Sequence, residues 1–451
     1  MNLQLHAMTP STCRPHAAGQ RLLSTLLIVA SLLGGPLPAE ANSVVSPGTP
    51  TAPVAVPTSS ARRTSGADTS ATGPAASPAA EAPSPAAETA PLEAYRFAVD
   101  PNLNNEVVGE VQVTHAGQQD TLTDIARRFS VGYNEIHRAN PGVDMWLPGA
   151  GRRVVVPTQF VLPDAPHAGI VINAAEMRLY YFPPRAHGAQ QIIYTYPIGI
   201  GRVNWKTPSG VTTIVRKVKN PVWRPPADIL KEHREEGDPL PTEIRPGPDD
   251  PMGNRALYLG WPEYAIHGTN KPAGVGMRVS HGCIHLYPED FLQLYNMAPV
   301  GTPVRVVNQP FVFGWHRGEL YMEAFGPLEG DQRDWKTATR KLLEQAMGPQ
   351  VQKELRERNE QVRWDLVMRL VGNPLGVPVA ITDPSASLGQ VLANARQVQN
   401  RLPEGAAWDG KAELPMDEKT FERVLSKIGA AGASHPTSLQ HASRSATQSG
   451  T

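Results

Sequence analysis

Between positions 267 and 285 the chain carries one thiol, Cys283, and three imidazoles, His267, His281 and His285. A free thiol ionises near about pH 8.5 and is a small fraction thiolate at neutral pH, so a nucleophilic cysteine needs a base. Acyl transfer also needs a group that orients the base and donors that receive the oxyanion. The sequence has two cysteines, and the other, Cys13, precedes an apolar run that reads as a secretion signal. Cys283 is therefore expected to be the sole thiol of an exported protein, without a disulfide partner in its own chain. It is left as a reactive group, an intermolecular linker or a small buried hydrophobe. The Gly- and His-rich surroundings favour the first. His267, His281, Cys283 and His285 are also zinc-ligand types, but paired Cys-x-x-Cys spacing is missing, and no metal is expected.

The run His267-Gly268-Thr269-Asn270-Lys271-Pro272, followed by Gly276-Met277-Arg278-Val279-Ser280-His281-Gly282-Cys283-Ile284, resembles the signature of the L,D-transpeptidase catalytic (YkuD) domain. Ile198-Gly199, Thr207-Pro208-Ser209-Gly210, Pro221-Val222-Trp223-Arg224-Pro225-Pro226 and Pro246-Gly247-Pro248 with Pro251-Met252-Gly253 stand in the matching order. The resemblance implies a mostly β sandwich holding Cys283 at the rim of a cleft. It implies Cys283 as nucleophile and His267 as base, with the Gly268 carbonyl as the candidate orienter of His267 Nδ1. The amides of Gly282 and Cys283 are candidate oxyanion donors. His281 is expected to orient the thiol or touch substrate, and Ser280 to fix the loop. No cofactor is implied.

The implied substrate is the peptidoglycan stem peptide, cut between its third-position diamino acid and fourth-position D-alanine. An amine then resolves the thioester. The acceptor candidates are a second stem, a lysine of an outer-membrane protein, a free D-amino acid, or water. Two rivals stand beside this reading: a hydrolase using the same residues, and a wall-binding scaffold whose thiol site is vestigial. The family commonly has Arg two residues after the cysteine, where this chain has His285. Arginine holds a carboxylate bidentately at any pH, whereas histidine's charge titrates. Carboxylate recognition then falls to His285 and Arg278, or Arg305, and activity is expected to be weaker at alkaline pH than in a His285→Arg variant.

These residues belong to a strand-rich unit, 168–308, in which β-branched and aromatic clusters alternate with Gly, Pro and Asn. Only Pro288 to Tyr295 reads clearly as a helix there. Ahead of it, 111–162 reads strand, helix, helix, strand, with Thr123 as a plausible cap and Asn140-Pro141-Gly142 as a helix stop. This order resembles the LysM module, which implies binding of the N-acetylglucosamine-containing glycan of cell walls. The groove maps onto Gly117 to Leu122, with Asp120 and Thr121, and onto Asn140, Pro141 and Gly142. The region 311–428 opens with two short strands and turns to amphipathic helices; it carries no chemistry and reads as a packing appendage. The fold class is thus mainly β, with a small βααβ module before the catalytic unit and a helical region after it.

The ends complete the picture. Residues 1–41 carry a basic flank, a short apolar run and Ala39-Glu40-Ala41, the pattern of a cleavable signal peptide, with an uncleaved anchor as the alternative. Residues 42–92 are Ala, Pro, Ser and Thr with few large apolar side chains, and 429–451 are similarly polar; both read as disordered. A periplasmic location follows. The net charge of zero gives no argument for a nucleic-acid partner.

Overall fold

The computed structural model describes residues 88–93, 95–100 and 105–404. The expected signal peptide, most of the expected linker, the end of the appendage and the tail lie outside the described residues. Two strands come first, β1 (Arg96–Val99) and β2 (Val107–Gly109). A βααβ unit follows: β3 (Gln112–His115), α1 (Leu122–Arg128), α2 (Tyr133–Ala139) and β4 (Arg153–Val156), then β5 (Gln159–Val161), which pairs with β2. Thr121, not Thr123, caps α1. Its hydroxyl accepts the Asp124 amide at 3.1 Å while Asp124 Oδ2 accepts the Thr121 amide at 2.9 Å, a reciprocal capping box.

The next strands are β6 (Gly169–Asn173), β7 (Arg178–Phe182), β8 (Gln191–Pro197), β9 (Ile200–Gly201) and β10 (Gly210–Lys219). Helix α3 (Ala227–Glu235) precedes β11 (Arg255–Leu259), β12 (Ala265–His267), β13 (Arg278–Ser280) and β14 (Ile284–His285). Helix α4 (Pro288–Met297) and β15 (Pro303–Val307) close this part. The main sheet has nine strands in the order β1-β8-β7-β6-β15-β10-β11-β12-β14. β10 serves both halves. Gly210 to Thr213 pair with β15 and Ile214 to Lys219 with β11, across a register shift at Ile214/Arg216. Such a bulge bends a sheet, so the expected sandwich takes the form of one sheet curled around a shared core. Ile170, Ile172 and Val304 from one half meet Leu257, Ile266 and Ile284 from the other, with Phe291 and Leu294 of α4 between them. All five residues of β6 are buried because Val171 packs the opposite face, against Tyr180, Phe182 and Phe160.

The last part comprises β16 (Phe311–His316), β17 (Glu319–Ala324), α5 (Thr339–Arg358, kinked at Gly348), α6 (Trp364–Gly372), β18 (Val379–Ala380), α7 (Leu388–Ala393) and β19 (Arg396–Gln397). It does not end as a separate appendage. β19 adds in parallel to β3, and Thr89 bridges to Val398, so chain from both ends joins the βααβ sheet. Residues 88–92, whose composition reads as linker, are thereby paired; the Leu92 amide donates to Gln112 Oε1 at 2.7 Å.

Candidate active site

The thiol strand and the base strand are neighbours. β12 and β14 run parallel, with Ile266 opposite Ile284 and His267 opposite His285. Strand side chains alternate faces. Ile266 and Ile284 enter the main core, so Ala265, His267, Cys283 and His285 share the other face. Cys283 packs there against the cluster of Met252, Ala256 and Ala265, as do Trp223 and Tyr258.

Each group has a definite partner. His267 Nδ1 lies 2.5 Å from the Gly268 carbonyl. A carbonyl can only accept, so Nδ1 carries the proton and Nε2 is the basic nitrogen. Burial, reinforced by the neighbouring His285, lowers His267 to about 4, against the opposing pull of the Gly268 bond. Burial pushes the Cys283 thiol up to about 11, and the thiol rests on the Glu263 carbonyl at 3.6 Å. At neutral pH the pair is therefore a neutral thiol and a neutral imidazole. Ser280 Oγ donates to the Cys283 carbonyl at 2.6 Å and accepts the Gly282 amide at 3.2 Å, which fixes the loop. That second bond occupies one of the two expected oxyanion donors, so Gly282 N–H must exchange partners to serve an oxyanion. Gly282 holds φ +109°, and a Cβ there would meet Tyr264 at 2.7 Å.

His281 is held in a polar cluster that the sequence did not announce. Its Nε2 is 3.1 Å from Glu232 Oε2 and 2.6 Å from an Arg202 nitrogen. Glu232, on α3, also accepts Arg202 at 2.8 Å and the Trp205 indole at 3.0 Å. Burial and the Arg202 charge hold His281 below its ordinary value. No local signal marks Glu232, because the cluster is assembled across long sequence separations.

The two residues assigned to carboxylate recognition are otherwise engaged. Arg278 donates to the carbonyls of Gly201 at 3.2 Å and Glu329 at 2.8 Å. His285 is buried, its Nε2 3.3 Å from the Gly274 carbonyl and its ring 6.3 Å from that of His267. Burial lowers His285 to about 4. It is already neutral at physiological pH, which corrects the expected alkaline loss of charge. The activity ratio of wild type to His285→Arg is accordingly expected to stay constant between about pH 6 and pH 9. A ratio falling with a midpoint near the ordinary histidine value of about 6.5 would reject this.

The residues mapped to a glycan groove divide. Leu122 is in the core, and its amide donates to the Met145 carbonyl at 2.8 Å, tying together the loops on either side of the helices. Asp120 is saturated by Gly117 N–H at 2.7 Å, Arg128 at 2.6 Å and Asn400 at 2.6 Å. Asn140 is buried, its amide shared among Ile136 O, Val155 O and Val155 N. Both side chains brace the unit and present nothing to a sugar. Thr121 is the helix cap, and Pro141 and Gly142 form the turn after α2. The loop after α2 exposes Trp146 at 56% and Leu147 at 82%, next to an exposed Asp144. Among the described residues no cluster of acidic, His or Cys side chains has metal-holding geometry.

A curled sheet thus sets a strand ending in a buried histidine parallel to the strand that follows a loop thiol. Residues 167–306 match the L,D-transpeptidase catalytic domain, YkuD. The chain is 40% identical over 241 residues to the probable L,D-transpeptidase ErfK/SrfK of Salmonella typhimurium, covering 52% of this chain and 76% of that protein. It is 44% identical over 232 residues to the probable L,D-transpeptidase YbiS of Escherichia coli K12, covering 51% and 74%. The putative L,D-transpeptidase YkuD of Bacillus subtilis is 30% identical over 193 residues, covering 42% and 94%. The chain belongs to the L,D-transpeptidase family.

Proposed function

We propose that the protein is an exported L,D-transpeptidase of the periplasm that uses Cys283 to transfer an acyl group of peptidoglycan stem peptides to an amine. The observation that carries this reading is the common strand face of Cys283 and His267, within the stretch matching the catalytic family. In the proposed cycle Cys283 Sγ attacks the carbonyl before the terminal D-alanine while His267 Nε2 takes the thiol proton. Collapse breaks the C–N bond, the proton passes to the departing D-alanine amine, and a thioester remains. An acceptor amine then attacks the thioester, gives its proton to His267, and the thiol is restored. Acceptors consistent with the family are a second stem peptide and a lysine of an outer-membrane protein. Incubation with tetrapeptide muropeptides tests this by product mass. Dimers with loss of D-alanine support transfer, tripeptide alone supports hydrolysis, and no change contradicts both.

The βααβ unit serves in this proposal as a LysM-type holder of the glycan strand, raising the local concentration of stem peptides. Exposed Trp146, beside the Leu122–Met145 link between the two loops, suits stacking on a sugar ring. Trp146→Ala is expected to lower retention on insoluble peptidoglycan roughly tenfold, about 1.4 kcal/mol, while turnover of a soluble tetrapeptide stays unchanged. Undiminished retention would remove Trp146 from the glycan surface.

A further inference from the structure

The βααβ unit meets the catalytic sheet backbone to backbone at two glycines. Gly276 has φ +86°, and a Cβ on it would lie 2.3 Å from the Tyr133 nitrogen and 2.6 Å from Gly132. Gly132 is equally confined, since its Cβ would fall 2.7 Å from the Gly276 Cα. Two bonds close the joint: Tyr133 N–H donates to the Val275 carbonyl at 2.9 Å and Asn134 N–H to the Gly276 carbonyl at 3.3 Å. The donors are the first amides of α2, which have no partner inside their own helix. From this joint a short chain of bonds runs to the site. Gly276 N–H donates to Ile198 O at 3.1 Å, and Gly199 and His285 exchange bonds at 2.7 and 3.0 Å. The next carbonyl back in the loop, Gly274 O, holds the His285 ring. Gly199 must be glycine, because the His285 ring sits 2.0 Å from where its Cβ would be. His285 in turn lies beside His267.

We propose that the βααβ unit is a positioning element of the thiol site, its Tyr133 and Asn134 amides holding the Val275–Gly276 loop on which His285, and through it His267, is seated. This rests on the reading of His267 as the base. The unit then does more than hold glycan. It completes one wall of the catalytic machinery, and it acts even on a substrate that has no sugar.

Proline substitution breaks the contact, removing the donor and setting Cδ against the Val275 carbonyl. Tyr133 is the first residue of α2, where proline is tolerated, and the preceding Gly132 is extended as proline requires. Tyr133→Pro deletes the amide that meets Val275, whereas Tyr133→Ala removes the ring and keeps the amide. With a soluble, sugar-free tetrapeptide, Tyr133→Pro is expected to lower kcat roughly tenfold with KM within about twofold, and to move the acid limb of the kcat/KM profile. Tyr133→Ala is expected to match wild type in both. A Tyr133→Pro protein that folds and keeps the wild-type kcat and profile overturns the proposal. Should that variant fail to fold, amide exchange in the wild type decides. The Tyr133 and Asn134 amides are expected to be protected alongside those of Gly199 and His285, and exchange roughly 100-fold faster than theirs overturns the proposal. If His267→Ala leaves turnover intact, the reading of the base has failed instead, whatever Tyr133→Pro does.

Discussion

Replacing His267 by alanine is expected to lower kcat/KM for tetrapeptide by roughly 10²–10⁴-fold, the range that a positioned general base contributes. The size follows from the resting state. Burial holds the Cys283 thiol near 11 and His267 near 4, so neither is charged at neutral pH and no preformed thiolate exists to carry residual activity. The thiol can lose its proton only as it attacks, to the nitrogen left basic when Gly268 takes Nδ1–H. The same values predict the pH profile. The reactive form, neutral thiol with neutral imidazole, persists from well below to well above neutrality, so kcat/KM is expected to be flat between about pH 6 and pH 9. The acid limb lies below the ordinary histidine range, because a buried imidazole gains its proton only at lower pH. A limb near about 6.5, or a steep rise toward alkaline pH, would mean that the pair ionises as an exposed thiol and imidazole do.

Arg178→Met is expected to destabilise the protein by about 3–5 kcal/mol, the cost of stranding the buried Glu135 carboxylate without its cation. Arg178 is fully buried on β7, forked onto Glu135 of α2 at 2.7 and 2.9 Å. It also reaches Ser130 O at 3.0 Å and lies 4.0 Å over the Phe160 ring. Glu176 sits 3.9 Å away and accepts the Tyr180 hydroxyl at 2.5 Å. Equilibrium unfolding in denaturant reads the effect, and an Arg178→Met/Glu135→Leu double variant should recover much of it. A loss under about 1 kcal/mol in the single variant would show that the ion pair is dispensable. The cluster also sets a sign for pH. Burial pushes Glu176 above the ordinary carboxyl range, so the stability it contributes is complete below its unfolded value and is lost as pH rises through its raised folded value.

The candidate site could be named from the sequence because most of its residues are local. Ser280 to His285 form one loop and strand, and glycines such as Gly282 stand where the backbone takes positive φ. The mainly β class was equally plain from the β-branched runs of β6, β8 and β10. What stayed hidden depends on distant pairing. Nothing near Arg396 announces a strand that completes the β3 sheet, and nothing near Glu232 announces a partner for His281. Arg96–Val99 lies before the βααβ unit yet pairs with β8 of the catalytic sheet. Asp120 and Asn140 were expected as ligands because the LysM resemblance maps its groove onto their loops. Their partners, Asn400 and the backbone of Ile136 and Val155, use their hydrogen-bonding capacity inside the fold. His285 misled in another way, since the character of a titratable side chain is set by its burial, which a motif does not display.

Cys283 is the proposed carrier of the acyl group. Intact-mass measurement of the protein, quenched in acid during turnover of a tetrapeptide stem, tests it most directly. An adduct equal to the stem peptide less D-alanine is expected, mapped to Cys283, released by an amine acceptor and absent in Cys283→Ala. D-Alanine release by Cys283→Ala at the wild-type rate would contradict it.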